Sequence, residues 1–217
     1  REDRGPVGPD RFIPVAEEIG LIDDLGLWVF ERACRDVAAW HARGWDLWVS
    51  VNISPVQLND PDLVGKLTQR ASAAGLSCGS IKLEITEAAL TDDSGDVDSM
   101  LEQLHEAGFP LALDDFGTGY SSLARLIRMP FDTLKVDRGF VDDCPNGPGA
   151  AVVVSVGGLA TQLGMNLIAE GVEYQTHERF LLDNDYILAQ GYRYARPIAA
   201  AELEQHLESA KLTSSAG

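Results

Sequence analysis

The chain has 217 residues, 45% of them hydrophobic, which suits one large α/β domain or two small ones and excludes a disordered segment. Its 34 acidic side chains outnumber 17 Lys and Arg, for a formal net charge of −17. So acidic a chain lacks the field that draws nucleic-acid polymers or anionic membranes, so any phosphate substrate must be met by metal ions or a few placed cations.

The first residues, "REDRGPVGPD", are charged and contain no signal-peptide core. In "IDDLGLWVFERACRDVAAW", Ile22, Leu25, Val29, Ala33, Val37 and Trp40 recur at helical spacing on one face. A first strand is predicted over Leu47–Ser54. The next helix takes Asp60 as N-cap and Pro61 at its first position, with Gly75 past its end. A strand over Ile81–Glu87 leads to a helix closing at Gly108. Further strands are predicted over Pro110–Asp115, Asp132–Asp137, Asn166–Glu173 and Tyr186–Gly191. Between them, "CPNGPG" is a loop, one helix closes at Gly164, and Asn184 is placed in the left-handed position after "YQTHERFLL". "AAAELEQHLESA" reads as a last helix. The apolar run over Ala150–Val156 is too short to span a bilayer. Cys34, Cys78 and Cys144 are odd in number and lack CxxC spacing, as expected of reduced cytosolic thiols. His41, His105, His177 and His206 show no ligand spacing and read as surface or packing residues.

Six strands alternating with helices imply βαβ units and a parallel sheet. A doubly wound sheet is one arrangement, but the glycine-rich phosphate turn after the first strand is absent. Polar residues end nearly every strand instead, as in a closed eightfold barrel, whose chemistry sits at the C-terminal strand ends.

Those strand ends carry Asn52; Glu84 with Glu87; Asp114 and Asp115; Lys135 with Asp137; Glu170 with Glu173; and Gln190. One such acid alone reads equally well as a helix N-cap. Four ends with carboxylates, amides on the other two and no His or Cys suit hard divalent cations such as Mg²⁺ or Mn²⁺. Asp114 and Asp115 adjoin, and neighbouring strand residues point to opposite faces. Both face one site only where the backbone turns, which Gly117 and Gly119 permit. Two metals about 3.5–4 Å apart could then clamp the attacking and leaving oxygens of a phosphoester. A weaker rival reads "GTGYSS" as a phosphate cradle at a helix N-terminus. No Ser–His or Cys–His pair offers a covalent route.

In order, "FIPVAEEIGLI", "VNISPVQL", "LEITE", "LDDFGTGYSSL", "LKVD", "IAEGVE" and "QGYRYARP" resemble the EAL-domain family of cyclic di-GMP phosphodiesterases over nearly the whole chain. The resemblance implies an α/β fold, a TIM-like (β/α)8 barrel with an antiparallel first strand. It implies Asn52, Glu84 and Asp114 as ligands of one metal and Asp114 with Asp115 as ligands of a second. Lys135 would hold the metal-bound water with Gln190 near it, and Glu170 would act as general base or second-site ligand. Glu87 would anchor the "DDFGTGYSS" loop, and Asp137, Glu173 and Pro197 would lie near the substrate. The family's Glu-Ala-Leu signature precedes the segment that here reads "RGPVGPDRFIP", so residues 1–217 are expected to be an N-terminally incomplete EAL domain. About the first two strands, a metal-binding glutamate and an arginine would be missing. The expected activity is metal-dependent hydrolysis of cyclic di-GMP to linear pGpG in bacterial signalling. The alternative is a non-hydrolytic cyclic di-GMP receptor or regulatory interaction module. A homodimer, an attached sensory or GGDEF-type domain, and a cytoplasmic location, free or as part of a membrane-anchored protein, complete the expectation.

Overall fold

The computed structural model describes residues 7–91, 96–117 and 123–214. Two helices, α1 (Pro9–Glu18) and α2 (Ile22–Ala42), precede β1 (Val49–Asn52). There follow α3 (Leu63–Ala73), β2 (Ile81–Thr86), α4 (Asp96–Glu106), β3 (Leu111–Phe116), α5 (Leu123–Leu126) and β4 (Thr133–Val136). Then come α6 (Arg138–Asp142), α7 (Gly149–Leu163), β5 (Asn166–Ala169), α8 (Gln175–Leu182), β6 (Leu188–Ala189) and α9 (Ala200–Ser214). The strands form one curled sheet in the order β1-β2-β3-β4-β5-β6, every pair parallel. Successive parallel neighbours joined by crossover helices put all six C-terminal ends on one side.

The two faces of the sheet differ in kind. Ile81, Leu83 and Ile85 of β2 are fully buried against the helices, as are Phe30, Cys34 and Val37 of α2 and Leu101 and Leu104 of α4. Phe30 meets Phe109 edge to face, with ring centroids 5.9 Å apart. The alternate residues of β2, Lys82 and Glu84, are also buried but polar. They point into the concave face, where Lys82 Nζ donates to Thr133 Oγ1 of β4 at 2.9 Å and lies 4.4 Å from the centroid of the Trp48 ring. The central strands β2, β3 and β4 are therefore buried on both faces, apolar against the helices and largely polar on the concave side.

Among the described residues no ladder joins β6 to β1, and both edges carry exposed apolar side chains. Trp48 is 48% exposed before β1, and Ile187 and Leu188 are 90% and 41% exposed at β6. Such edges invite further strands.

Three local expectations are corrected. Asp60 does not cap a helix. Its Oδ1 accepts from Asp62 N and its Oδ2 pairs with Lys66 Nζ at 2.6 Å, and α3 begins only at Leu63. The left-handed residue after α8 is Asp185 (φ +65), one position beyond Asn184, whose side chain instead donates to Phe180 O. The last two strands are shorter than predicted, ending at Ala169 and Ala189, although Glu170 N and Gln190 N still donate to Val136 O and Ala169 O. Gly119 and most of "GTGYSS" lie outside the described residues. Cys34, Cys78 and Cys144 are free thiols, and burial pushes those of Cys34 and Cys144 up to about 11.

Candidate active site

Lys135 stands at the centre of the mouth, 3% exposed. Its ammonium lies 2.9 Å from Glu84 Oε2 of β2, 2.9 Å from Asp114 Oδ1 of β3 and 2.6 Å from Glu170 Oε1 just past β5. Gln190, past β6, donates its Nε2 to the same Glu170 oxygen at 2.6 Å. Burial works against the ammonium, but Glu84, Asp114 and Glu170 outweigh it and raise Lys135 above the ordinary lysine range. Three carboxylates share one cation, so the cluster carries excess negative charge.

Asp115 adds to that charge by means of the backbone. The β3–β4 register shifts between Leu113 and Phe116, and Asp115 itself is left-handed at φ +56. A bulge with one residue in this conformation cancels the alternation that would send Asp115 to the far face. Carboxylate oxygens of Asp114, Asp115 and Glu170 consequently lie within 4.8 Å of one another. Burial first, then the charges of Asp114 and Asp137, pushes the Asp115 carboxyl above its usual range. Burial likewise raises Glu170, against the pull of Lys135. An oxygen-only cluster, crowded enough to resist ionisation and short of cations, fits a hard divalent ion. Asn52 pairs in register with Glu84 at the end of β1, beside this cluster.

Glu87 lies outside the cluster. It is 3% exposed, and its Oε2 accepts from Gly117 N at 2.8 Å, at the turn that follows the two aspartates. Gly117 has φ +98, and a Cβ there would come within 2.9 Å of the Phe140 ring, so the turn takes this path only with glycine. Glu87→Ala should leave the cluster's side chains intact but release the turn. We expect metal affinity or activity about 10–100-fold lower, read by Mn²⁺ titration alongside amide exchange at Gly117. Unchanged affinity with unchanged exchange would reduce Glu87 to a buried acid without influence on the site.

Asp137, Glu173 and Pro197 lie at the periphery. Asp137 accepts from Gly139 N at 2.9 Å and so caps α6, while its charge acts on Asp115. Glu173 is paired with Arg138 Nη2 at 2.9 Å. Both line a cleft of about 440 Å³ beside Glu170 and Gln190, with Pro197, Tyr192 and Arg196 on the other wall. Arg196 lies 4.4 Å from the centroid of the Tyr192 ring. The sequence reading singled out neither Arg138 nor Tyr192. The one signal for Arg138 is a cation directly after a strand-end acid.

The raised carboxyls set a pH dependence. Each must lose its proton to bind a cation. Mn²⁺ affinity should therefore begin to fall, on acidification, at a higher pH than for ordinary carboxylates near about 4. The metal-free fold runs the other way. A carboxyl raised on folding binds its proton more readily in the folded state, a contribution complete below the ordinary value and lost as pH rises through the raised one. Calorimetric titration across pH checks the first trend, and thermal melts in chelator check the second.

The sequence profile of the EAL domain family matches residues 1–197. Among curated proteins, "Cyclic di-GMP phosphodiesterase NbdA" of Pseudomonas aeruginosa is 42% identical over 208 residues, 95% of this chain and 27% of that protein. The chain spans about a quarter of the length of the first curated relatives it matches. The solved c-di-GMP complex of the PaMucR phosphodiesterase superposes with a TM-score of 0.89 at 35% identity, covering 94% of this chain and 83% of that one. The manganese/cy-diGMP complex of Klebsiella pneumoniae BlrP1 gives a TM-score of 0.69 at 32% identity, covering 76% and 43%.

Proposed function

The chain belongs to the EAL domain family, and from that membership we propose that the intact protein hydrolyses cyclic di-GMP to linear pGpG with Mg²⁺ or Mn²⁺. The observation that carries this is the convergence of Glu84, Asp114 and Glu170 on Lys135, with Asp115 turned into the same mouth. A receptor needs only a cleft, whereas this cluster concentrates charge where a phosphodiester would react.

Asn52, Glu84, Asp114, Asp115 and Glu170 would hold the ions. A bound divalent cation supplies Lewis acidity to the phosphoryl and leaving oxygens. The chain's own residues do the rest. Glu170, with its raised carboxyl, accepts the proton of the attacking water. Lys135 and Gln190 fix the Glu170 carboxylate, and the Lys135 ammonium faces the charge that develops at phosphorus. The water oxygen bonds to phosphorus, the bond to the 3′ oxygen breaks, and that oxygen takes a proton from solvent. Glu173 and Pro197 line the cleft that would receive a guanine, and Asp137, next to the cleft residue Arg138, belongs to the same reading.

The exposed edges at Trp48 and at Ile187–Leu188 support two further strands closing the barrel in the intact protein. A homodimer and an attached sensory or GGDEF-type domain belong to the same reading. The second is supported by relatives several times longer than this chain. No helix among the described residues is long and apolar enough to cross a membrane. A cytoplasmic site of action is part of the proposal, since the substrate is an intracellular messenger.

The test is turnover of cyclic di-GMP by the intact protein in Mg²⁺, Mn²⁺, Ca²⁺ or excess chelator. Mg²⁺ and Mn²⁺ should support it, and Ca²⁺, larger and looser in geometry, should inhibit. Full turnover in chelator would exclude the metal mechanism.

A further inference from the structure

Glu17 of α1 is remote in sequence from every strand end, yet it reaches one of them. Ser54 Oγ donates to Glu17 Oε1 at 2.6 Å, in the range of a charge-assisted hydrogen bond. The same hydroxyl accepts from Val56 N at 3.2 Å, and Ser54 N donates to Gln57 Oε1 at 3.1 Å. Gln57 is 2% exposed and lies hard against α2. A Cβ on Gly26 would come within 2.3 Å of its Nε2, so any larger residue there would displace the Gln57 amide. On the other side, Ile53 N donates to Glu84 O at 2.9 Å. The segment leaving β1 thus meets α1, α2 and β2 within five residues of Asn52.

We propose that Glu17 is a positioning residue for the cation site. Through Ser54 it fixes the exit of β1 and so aims Asn52, which sits two residues upstream and in register with Glu84. This rests on Asn52 being a metal ligand, as in the functional reading above. Asn52 stands at an exposed strand end, where its own surroundings supply little constraint. An amide ligand is a weak donor and contributes only if it is already oriented, and outer supports of this kind set affinity about 10–100-fold.

The experiment is calorimetric titration of the intact protein with Mn²⁺ for wild type, Glu17→Ala and Glu17→Gln, with unfolding midpoints and amide exchange at Ser54 and Val56. Glu17→Ala should bind Mn²⁺ at least about tenfold more weakly, with faster exchange at both amides. Glu17→Gln keeps an acceptor for the Ser54 hydroxyl and should recover most of the affinity. Wild-type affinity in Glu17→Ala would overturn the proposal. So would Glu17→Gln as weak as Glu17→Ala with both melting early, the mark of a merely structural contact. Wild type that takes up no Mn²⁺ would instead defeat the metal reading beneath it.

Discussion

Replacing Lys135 with methionine destabilises the metal-free protein by about 3–5 kcal/mol, the scale expected when one partner of a buried ion pair is removed. The side chain is 3% exposed and separates Glu84, Asp114 and Glu170, which lie within 2.6–2.9 Å of its ammonium. Without it, three carboxylates face one another across the mouth with no cation among them. Methionine fills most of the stem's volume, so the loss reports on charge and not on a cavity. Mn²⁺ should restore a large part of the stability, because a divalent ion neutralises the same oxygens. Urea unfolding with and without Mn²⁺ checks this. A variant as stable as wild type in chelator would mean that the carboxylates take up protons at little cost.

Glu170→Gln should lower turnover by about 10²–10⁴-fold while leaving cyclic di-GMP binding nearly intact. The amide preserves the shape and can still accept from Lys135 and from Gln190, whose contacts with Glu170 are both 2.6 Å. It cannot accept a proton from water. Burial holds the Glu170 carboxyl above its usual range, which makes it a stronger base than a solvent-exposed glutamate. Single-turnover kinetics beside equilibrium binding separate the two effects. A proportional loss of binding would recast Glu170 as a contact for substrate or metal alone.

The strand ends were legible because a parallel α/β fold repeats one rule. Each apolar run stops at a polar residue, and all the stops share one side. That rule alone gathers Glu84, Asp114, Lys135, Glu170 and Gln190 at one mouth. The Asp114–Asp115 pair was legible as a puzzle but not in its solution. The glycine turn holds at Gly117, φ +98, but Asp115 also adopts the left-handed conformation, which its sequence neighbours do not signal. Aspartate tolerates that conformation better than most side chains, and here the bulge against β4 selects it. The polar inner face escaped notice because Lys82 and Thr133 look like interruptions of apolar strands until the sheet curls and brings them to 2.9 Å. Glu17 and Ser54 were hidden by 37 residues of separation. Nothing in local periodicity signals such a pair. Asp60 and Asn184 erred in the common way, by a few residues at a helix end.

If the Lys135–Glu84–Asp114–Glu170 cluster directs water onto a phosphodiester of cyclic di-GMP, the oxygen of that water must appear in the product. The most direct test is mass spectrometry of the nucleotide after incubation with the intact protein and Mn²⁺ in ¹⁸O-labelled water. Linear pGpG carrying one ¹⁸O on its 5′ phosphate is the expected product, with none from Asp114→Asn. Wild-type protein that binds cyclic di-GMP and returns it unlabelled and still cyclic would contradict this mechanism, and would make the chain part of a receptor.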